Sequence, residues 1–200
     1  MGIPFPWTTC AILASLLAQA APPTVTTFSL RVSIAVDDAG KPVARPEWLA
    51  TELDLAQTLF TPFGVRFTKT AGTPLDAHHA HVATRVDRDA LAPHVAPHVI
   101  DVFVVDSLRD VDDVTQMRRG VHWHAPSGIH YLILVASAPT TVLAHELGHY
   151  FGNPHSQVVD NVMSYERTGA PVFFDASQGK RIAAKAREYV RSGELLPVTP

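Results

Sequence analysis

A run of eleven residues sets the geometry that the folded chain has to reach: His145-Glu-Leu-Gly-His149-Tyr-Phe-Gly152-Asn-Pro-His155. Side chains four residues apart lie one turn above each other on an α-helix, so a helix would aim His145 and His149 at a common point. Gly152 has no Cβ and can adopt a positive φ, which lets the chain turn sharply and bring His155 back. The pattern therefore predicts a helix, a tight turn and three converging imidazoles.

Three converging imidazoles are suited to a metal ion. Imidazole nitrogens bind Zn²⁺ at about 2.0–2.1 Å, and catalytic zinc sites have three protein ligands and an open position for water. We therefore predict Zn²⁺ as the cofactor, with His145, His149 and His155 as its ligands. Glu146 follows the first ligand and is placed to accept a proton from the zinc-bound water as a general base.

The complete pattern resembles the long zinc-binding consensus of the metzincin metallopeptidases. That family also has a methionine turn, for which Asn161-Val-Met163-Ser-Tyr165 is the candidate. The resemblance implies that Met163 lies beneath the metal as a hydrophobic base without binding it. It also implies a zinc-dependent endopeptidase, which hydrolyses peptide bonds by metal-activated water with Glu146 as the general base.

Two features near the methionine resemble different branches of that family. The short interval between His155 and Met163 is similar to that of matrixins. Tyr165 instead resembles the tyrosine of astacins, serralysins and pappalysins, which can bind zinc or stabilise the oxyanion. This likeness implies a supporting catalytic role for Tyr165, and a buried tyrosine that fills the floor of the site is the alternative. The subfamily therefore stays open.

Strand and helix patterns alternate along the chain, which predicts one α/β domain. Residues 25–36 alternate between apolar and polar, as in a half-buried strand, whereas residues 100–105 form an apolar run typical of an interior strand. Residues 69–98 are polar and rich in His and Pro, with one helical turn predicted at 87–91. Further strands are predicted at 64–68, 121–124 and 130–135, and helices at 46–60, from Pro139 to Gly152, and at 175–191.

This order of elements matches the metzincin catalytic domain over about residues 28–191. The resemblance implies a mixed twisted sheet with a backing helix and an active-site helix. It also implies a small C-terminal subdomain that holds the Met-turn and a terminal helix. Residues 121–125 would be an edge strand that binds a peptide by main-chain pairing.

The first twenty residues are predicted to be a signal peptide, with the catalytic domain in residues 21–200. Residues 11–17 form a short apolar core, and Ala18-Gln19-Ala20 fits a cleavage site. No Lys or Arg precedes that core, so an apolar arm packed on the domain is the alternative. We expect a secreted or periplasmic protein, and cleavage near Ala20 would remove Cys10, the single cysteine, and leave no thiol ligand or nucleophile.

The net charge and the hydropathy of the chain limit the classes of molecule that it can bind. Sixteen Lys and Arg residues against 19 Asp and Glu residues leave a net charge of −3, so we expect no nucleic-acid partner. Apolar runs stay below the roughly 18 residues of a spanning helix, so we expect no integral membrane segment in the mature chain. The expected partner is a protein or peptide substrate, and the expected state is a monomer.

Eleven histidines exceed the needs of one metal site. His78, His79 and His81 could form a second metal site with an aspartate of the acidic loop from Asp106 to Asp113, as matrixins hold a structural zinc. Their spacing fits that site poorly, and solvated loop histidines are the better interpretation. His122 and His124 alternate on the predicted edge strand and either line the cleft or face solvent. The others outside the motif are expected to be structural or exposed: His94, His98 and His130.

Two other functions remain compatible with these residues. One is a metal-dependent hydrolase of short peptides or other amides on the same fold, with a cleft blocked at one end. The other is a non-catalytic zinc-bearing binding module. The presence of Glu146 argues against the binding module, because a module needs no general base.

Overall fold

The computed structural model describes residues 25–198 of the chain. The predicted signal peptide and Cys10 therefore lie outside the described residues. Among the helices of residues 25–198, none combines the length and the apolar character needed to cross a membrane.

Seven strands and four α-helices make up the described part of the chain. The strands are β1 (Thr26–Ile34), β2 (Val65–Ala71), β3 (His81–Val82), β4 (Ile100–Val105), β5 (Ser107–Leu108), β6 (Gly120–His124) and β7 (His130–Val135). The helices are α1 (Pro46–Phe60), α2 (Arg85–Asp89), α3 (Val142–Tyr150) and α4 (Ala176–Ser192).

Five of the strands form one mixed sheet in the order β2-β1-β4-β7-β6. The first four run parallel, and β6 pairs antiparallel with β7 at the edge. Two short strands, β3 and β5, pair separately. The mixed sheet, the backing helix α1 and the terminal helix α4 confirm the predicted α/β class and the predicted edge strand.

Helices α1, α3 and α4 pack on one face of this sheet. Phe151, just after α3, has its ring centroid 6.1 Å from that of Phe28 on β1 and 5.6 Å from that of Phe60 on α1. All three rings are fully buried. Aromatic packing of this kind stabilises the fold beyond simple area burial. It anchors the C-terminal end of α3, where the histidine motif turns, on the sheet.

The opposite face of the sheet is also covered, by the polar segment 69–98. Leu75, Val82 and Leu91 from this segment are buried in a second apolar cluster with Phe103 and Tyr131 of the sheet. The segment forms β3, α2 and short 3₁₀ turns, more structure than the single helical turn that was predicted. Leu75, Val82 and Leu91 point inward, although they are too widely spaced to show a period, whereas Val86 is 75% exposed.

The prediction that β1 is only half-buried is wrong. β1 is an interior strand between β2 and β4, and Ser33 on its polar face is 1% exposed. Arg31 on the same face pairs with Asp101 of β4 at 2.5 Å, and the hydroxyls of Ser29 and Thr70 lie 3.1 Å apart. Arg31 and Ser29 are tolerated in this interior strand because they find partners on the neighbouring strands, whereas the buried hydroxyl of Ser33 has none among the described residues.

The start of α3 and the exposure of one apolar residue of α4 differ from what the sequence indicates. Pro139 does not start α3; its carbonyl group accepts a hydrogen bond from the N–H of Val142 in a turn, and the helix begins there. Val190 belongs by spacing to the apolar stripe of α4 with Ile182 and Ala186, but it is 37% exposed, whereas those two residues are buried. The limits of α4 agree with the prediction, because Asp175 caps its N-terminus in a capping box and Gly193 ends it with φ +76°.

Candidate metal centre

The three motif histidines meet at one point. The Nε2 atoms of His145 and His149, one turn apart on α3, are 3.2 Å from each other. Gly152 has φ +83° and turns the chain, and Nε2 of His155 then lies 3.1 Å from Nε2 of His149. Ligands at 2.0–2.1 Å around a tetrahedral ion are ~3.3 Å apart, so this arrangement fits a metal ion.

The other ring nitrogens of the two helical histidines bond to main-chain carbonyl groups. Nδ1 of His145 donates to the carbonyl oxygen of Val162 at 2.7 Å, and Nδ1 of His149 donates to that of Asn153 at 2.8 Å. Each bond places the ring proton on Nδ1 and leaves the lone pair of Nε2 free for a metal. Sequence reasoning could not identify these acceptors, since main-chain atoms carry no residue signature.

Burial favours the neutral form of all three rings. It lowers the pKa of His145 to about 4, although the bond to Val162 acts in the opposite direction. Burial also lowers the pKa of His149 and of His155. Neutral imidazole is the form that binds a metal ion, so the site needs little deprotonation before it can bind one near pH 7.

Glu146 is buried between α3 and the edge strand β6. Burial raises its pKa to about 8, and the backbone N–H of His122 and the charge of Arg118 oppose that rise. Its carboxylate lies so close to β6 that a Cβ on Gly120 would be 2.8 Å from its Oε1. The lack of a side chain at Gly120 therefore makes room for the carboxylate.

The hydroxyl of Tyr165 lies next to the cluster of histidine nitrogens. Its Oη is 2.8 Å from Nε2 of His155, and the two ring centroids are 4.8 Å apart. The side chain of Tyr165 is 69% exposed, so the alternative of a buried tyrosine is wrong. The hydroxyl can donate a hydrogen bond, or offer an oxygen, at the open side of the three histidines.

Met163 is completely buried against α3. It belongs to a turn whose backbone is held at several points: its N–H donates to Oδ1 of Asn161, and its carbonyl group accepts from the N–H of Ser156. The preceding residue, Val162, is the one that orients His145. The turn thus connects the buried Met163 to His145, one of the three motif histidines.

Gln178 fixes this turn from the side of α4, a contact that the sequence did not indicate. The buried amide groups of Asn161 and Gln178 exchange two hydrogen bonds, of 2.8 and 3.0 Å. Gln178 also belongs to the capping box of α4. The N-terminus of the last helix and the methionine turn are therefore one hydrogen-bonded unit.

Glu52 is a second residue that sequence reasoning missed. A glutamate within a helix gives no signal of burial, yet Glu52 is fully buried. Its Oε2 accepts a hydrogen bond from the N–H of Leu143 in the first turn of α3. Burial raises the pKa of Glu52 to about 8, and the bond from Leu143 opposes this rise. The carboxyl group thereby ties the start of α3 to α1.

One of the histidines outside the motif, His130, does not lie where the sequence suggested. His122 and His124 line the cleft, and His130 joins them, contrary to the expectation that it is merely structural or exposed. Burial lowers the pKa of His122 to about 2.

In the segment before β3, the predicted solvated histidines include one that is buried, His79, whose ring packs 5.1 Å from that of His94. Within residues 25–198, His78, His79 and His81 form no group that could share a metal ion.

Both histidine groups open into one cleft of about 940 Å³. Its walls include β6, the C-terminal half of α3 and Tyr165. Arg118, from the charged loop before β6, lies at its rim and pairs with Asp110. The cleft therefore combines a potential metal centre, a buried carboxyl group and an unpaired strand edge.

No family model matches this sequence, and no curated protein matches it. Solved structures with a similar fold include metalloproteinase-II from Bacteroides fragilis, with a TM-score of 0.55 and 13% identity over 84% of this chain and 55% of that one. The chain thus spans about half the length of that protein.

Archaemetzincin from Methanopyrus kandleri is also similar, with a TM-score of 0.54 and 16% identity over 80% of this chain and 96% of that one. The described domain therefore has the fold of these metalloproteinases, and the three motif histidines placed on that fold fit a metal ion.

Proposed function

We propose that the protein is a zinc-dependent endopeptidase of the metzincin type. The observation that supports this proposal most strongly is that Nε2 of His149 lies 3.2 Å from that of His145 and 3.1 Å from that of His155, beside the buried carboxyl group of Glu146. Three nitrogen ligands with one open position are typical of catalytic zinc, whereas structural zinc sites are closed by a fourth protein ligand.

His145, His149 and His155 would hold the ion through Nε2. When bound, Zn²⁺ supplies a Lewis acid that polarises a carbonyl oxygen and acidifies water. Glu146 accepts the proton of the attacking water and passes it to the leaving amine. The hydroxyl of Tyr165 is placed to stabilise the oxyanion, which develops on the open side of the histidines.

A peptide is the substrate that this cleft supports best. β6 is an edge strand, so one side of its backbone is free to pair with an extended chain. Glu146 lies against Gly120, at the start of that strand, which puts the proposed general base next to the paired peptide. Pairing through main-chain groups accepts many side chains, as an endopeptidase requires.

The proposed setting is outside the cytoplasm, either secreted or periplasmic. It rests on the signal-peptide pattern of residues 1–20, ahead of a catalytic domain in residues 21–200. N-terminal sequencing of the exported protein would test it, with Ala21 as the expected first residue.

The function is tested with the full chain, loaded with zinc and assayed on casein. Glu146→Ala should retain its zinc and lose hydrolysis by several orders of magnitude, because the general base is gone and the ligands remain. Glu47→Ala, on the exposed side of α1, is the matched control and should keep full activity. A chelator should inactivate the wild type, and added Zn²⁺ should restore it.

Equal turnover of casein by Glu146→Ala and the wild type would overturn the proposal. A dipeptide panel is assayed in parallel. Hydrolysis of dipeptides without hydrolysis of casein would contradict an endopeptidase and favour the hydrolase of short peptides. A zinc-loaded wild type that is inactive on both would favour the binding module.

A further inference from the structure

A second group of three histidines lies on the two strands that end the sheet. His122 and His124 occupy alternate positions of β6 and share a face, and His130 of β7 is the register partner of His124. The ring centroids are 4.4 Å apart for His122 and His124, 5.0 Å for His122 and His130, and 5.2 Å for His124 and His130.

These spacings match those of the candidate catalytic group. There the corresponding centroid distances are 4.8 Å for His145 and His149, 4.6 Å for His149 and His155, and 5.4 Å for His145 and His155. In the strand group, as in the helical one, one nitrogen of each ring can be chosen so that all three lie within 4.8 Å of one another. A pair of strands and a helix with a turn therefore hold three imidazole rings at similar spacings.

His130 is held in an orientation suited to binding a metal. Its Nε2 lies 2.6 Å from Oε1 of Glu194, so that carboxylate accepts the ring proton and the lone pair of Nδ1 points toward His122. The ring stacks on that of Tyr150, with centroids 4.4 Å apart and planes inclined by 15°. In the metal-free protein, Nε2–H of His122 donates a hydrogen bond to Nδ1 of His130 at 2.7 Å, so a bound ion takes the place of that proton.

We propose that His122, His124 and His130 form a second metal site, with Glu194 orienting His130. Three imidazoles without a carboxylate ligand favour Zn²⁺ or a similar transition-metal ion over Mg²⁺ or Ca²⁺. A tetrahedral ion needs nitrogens ~3.3 Å apart, so the rings of His122 and His130 would separate by about half an ångström. The site opens into the same cleft as the motif histidines.

The test counts metal ions on the full chain. The protein is stripped with a chelator, dialysed against buffer that contains Zn²⁺, and analysed by mass spectrometry for zinc per chain. We expect about two equivalents for the wild type and about one for His124→Ala. His149→Ala should also hold about one, and the double variant should hold none. His78→Ala, an exposed histidine outside both groups, is the control and should hold two.

Cobalt(II) titration followed by visible absorption provides a second readout, since each site should contribute its own spectrum. Glu194→Gln should weaken zinc binding at the second site by about 10- to 100-fold and leave the first unchanged. His124 is exposed, so its replacement by Ala should leave the thermal unfolding of the metal-free protein unchanged.

The outcomes separate this proposal from the proposed function. One equivalent in the wild type, lost in His149→Ala and retained in His124→Ala, would overturn the second site and leave the peptidase site intact. One equivalent that is lost in His124→Ala and retained in His149→Ala would support the second site and contradict the proposed catalytic one. Two equivalents in His124→Ala would also overturn the inference, because the ion would then be bound elsewhere.

Discussion

Met163 lies against Gly148 so closely that a Cβ on the glycine would be 2.3 Å from the methionine Sδ. Real Cβ atoms do not approach other heavy atoms to this distance. Because Gly148 has no side chain at this position of α3, between His145 and His149, the methionine turn can approach the helix. That approach in turn lets the carbonyl group of Val162 reach Nδ1 of His145.

Gly148→Ala should destabilise the protein. Alanine is favoured over glycine within a helix by ~1 kcal/mol, but the overlap with the buried sulfur costs about 1–3 kcal/mol, and we expect the overlap to dominate. Zinc affinity should decrease because the turn that orients His145 is displaced. Denaturant unfolding and a zinc titration measure the two effects.

A Met163→Ala background provides the matched control for that substitution. Without the sulfur, Gly148→Ala should no longer destabilise, since only the helix preference remains. Equal destabilisation in the two backgrounds would contradict the overlap as the cause.

Gly120→Ala should impair catalysis and leave the metal in place. The added Cβ would lie 2.8 Å from Oε1 of Glu146 and 2.7 Å from Cγ2 of Val142, so the carboxylate has to move. A displacement on this scale at a catalytic group reduces kcat by about 10²-fold. Steady-state kinetics and zinc analysis of the variant test this prediction. An unchanged kcat would contradict it, because the carboxylate would then accommodate the added Cβ without moving from its catalytic position.

Tyr165→Phe should reduce kcat/KM by about 10²-fold, the usual loss for one hydrogen-bond donor to an oxyanion. The three histidines remain, so zinc content should not change. The exposed ring buries little area, and the free energy of unfolding should be nearly unaffected. Loss of the zinc would instead show that the hydroxyl is a required ligand, and unchanged kinetics would remove Tyr165 from the mechanism.

Glu52→Gln should change how stability depends on pH. Burial raises the pKa of Glu52 from 4.5 to about 8, so between these values the folded state holds a proton that the unfolded state has released. This contribution to stability is complete below pH 4.5 and is lost as the pH rises through 8. The shift corresponds to a loss on the order of 5 kcal/mol.

The glutamine variant lacks that titration, so its stability should decrease less than that of the wild type from pH 4.5 to 8. Urea unfolding at several pH values measures both proteins, and the difference between their curves isolates Glu52 from other titrating groups. Parallel curves would mean that the carboxyl group is ionised in the folded protein.

Several parts of the fold could be predicted because they depend on near neighbours in the sequence. Helix α1 begins at Pro46 and ends at Phe60 as its apolar spacing indicates, and β4 is buried throughout as its apolar run indicates. The convergence of the motif histidines also needs only a helix and one glycine turn, all within eleven residues.

Other parts could not be predicted, because they depend on residues far apart in the chain. His130 looked structural by itself, and only pairing with β6 places it beside His122 and His124. The burial of Glu52 depends on how α1 meets α3, and the polar segment 69–98 covers the sheet through apolar residues that have no period.

The sequence by itself determined which local elements form and which residues can bind a metal, because propensity, spacing and side-chain chemistry act over a few residues. The tertiary structure alone decided which carbonyl groups orient the histidines, that Gln178 fixes the methionine turn, and that a second imidazole triplet faces the cleft. These arrangements arise from packing between distant segments, whose relative positions are set by burial of the whole apolar core.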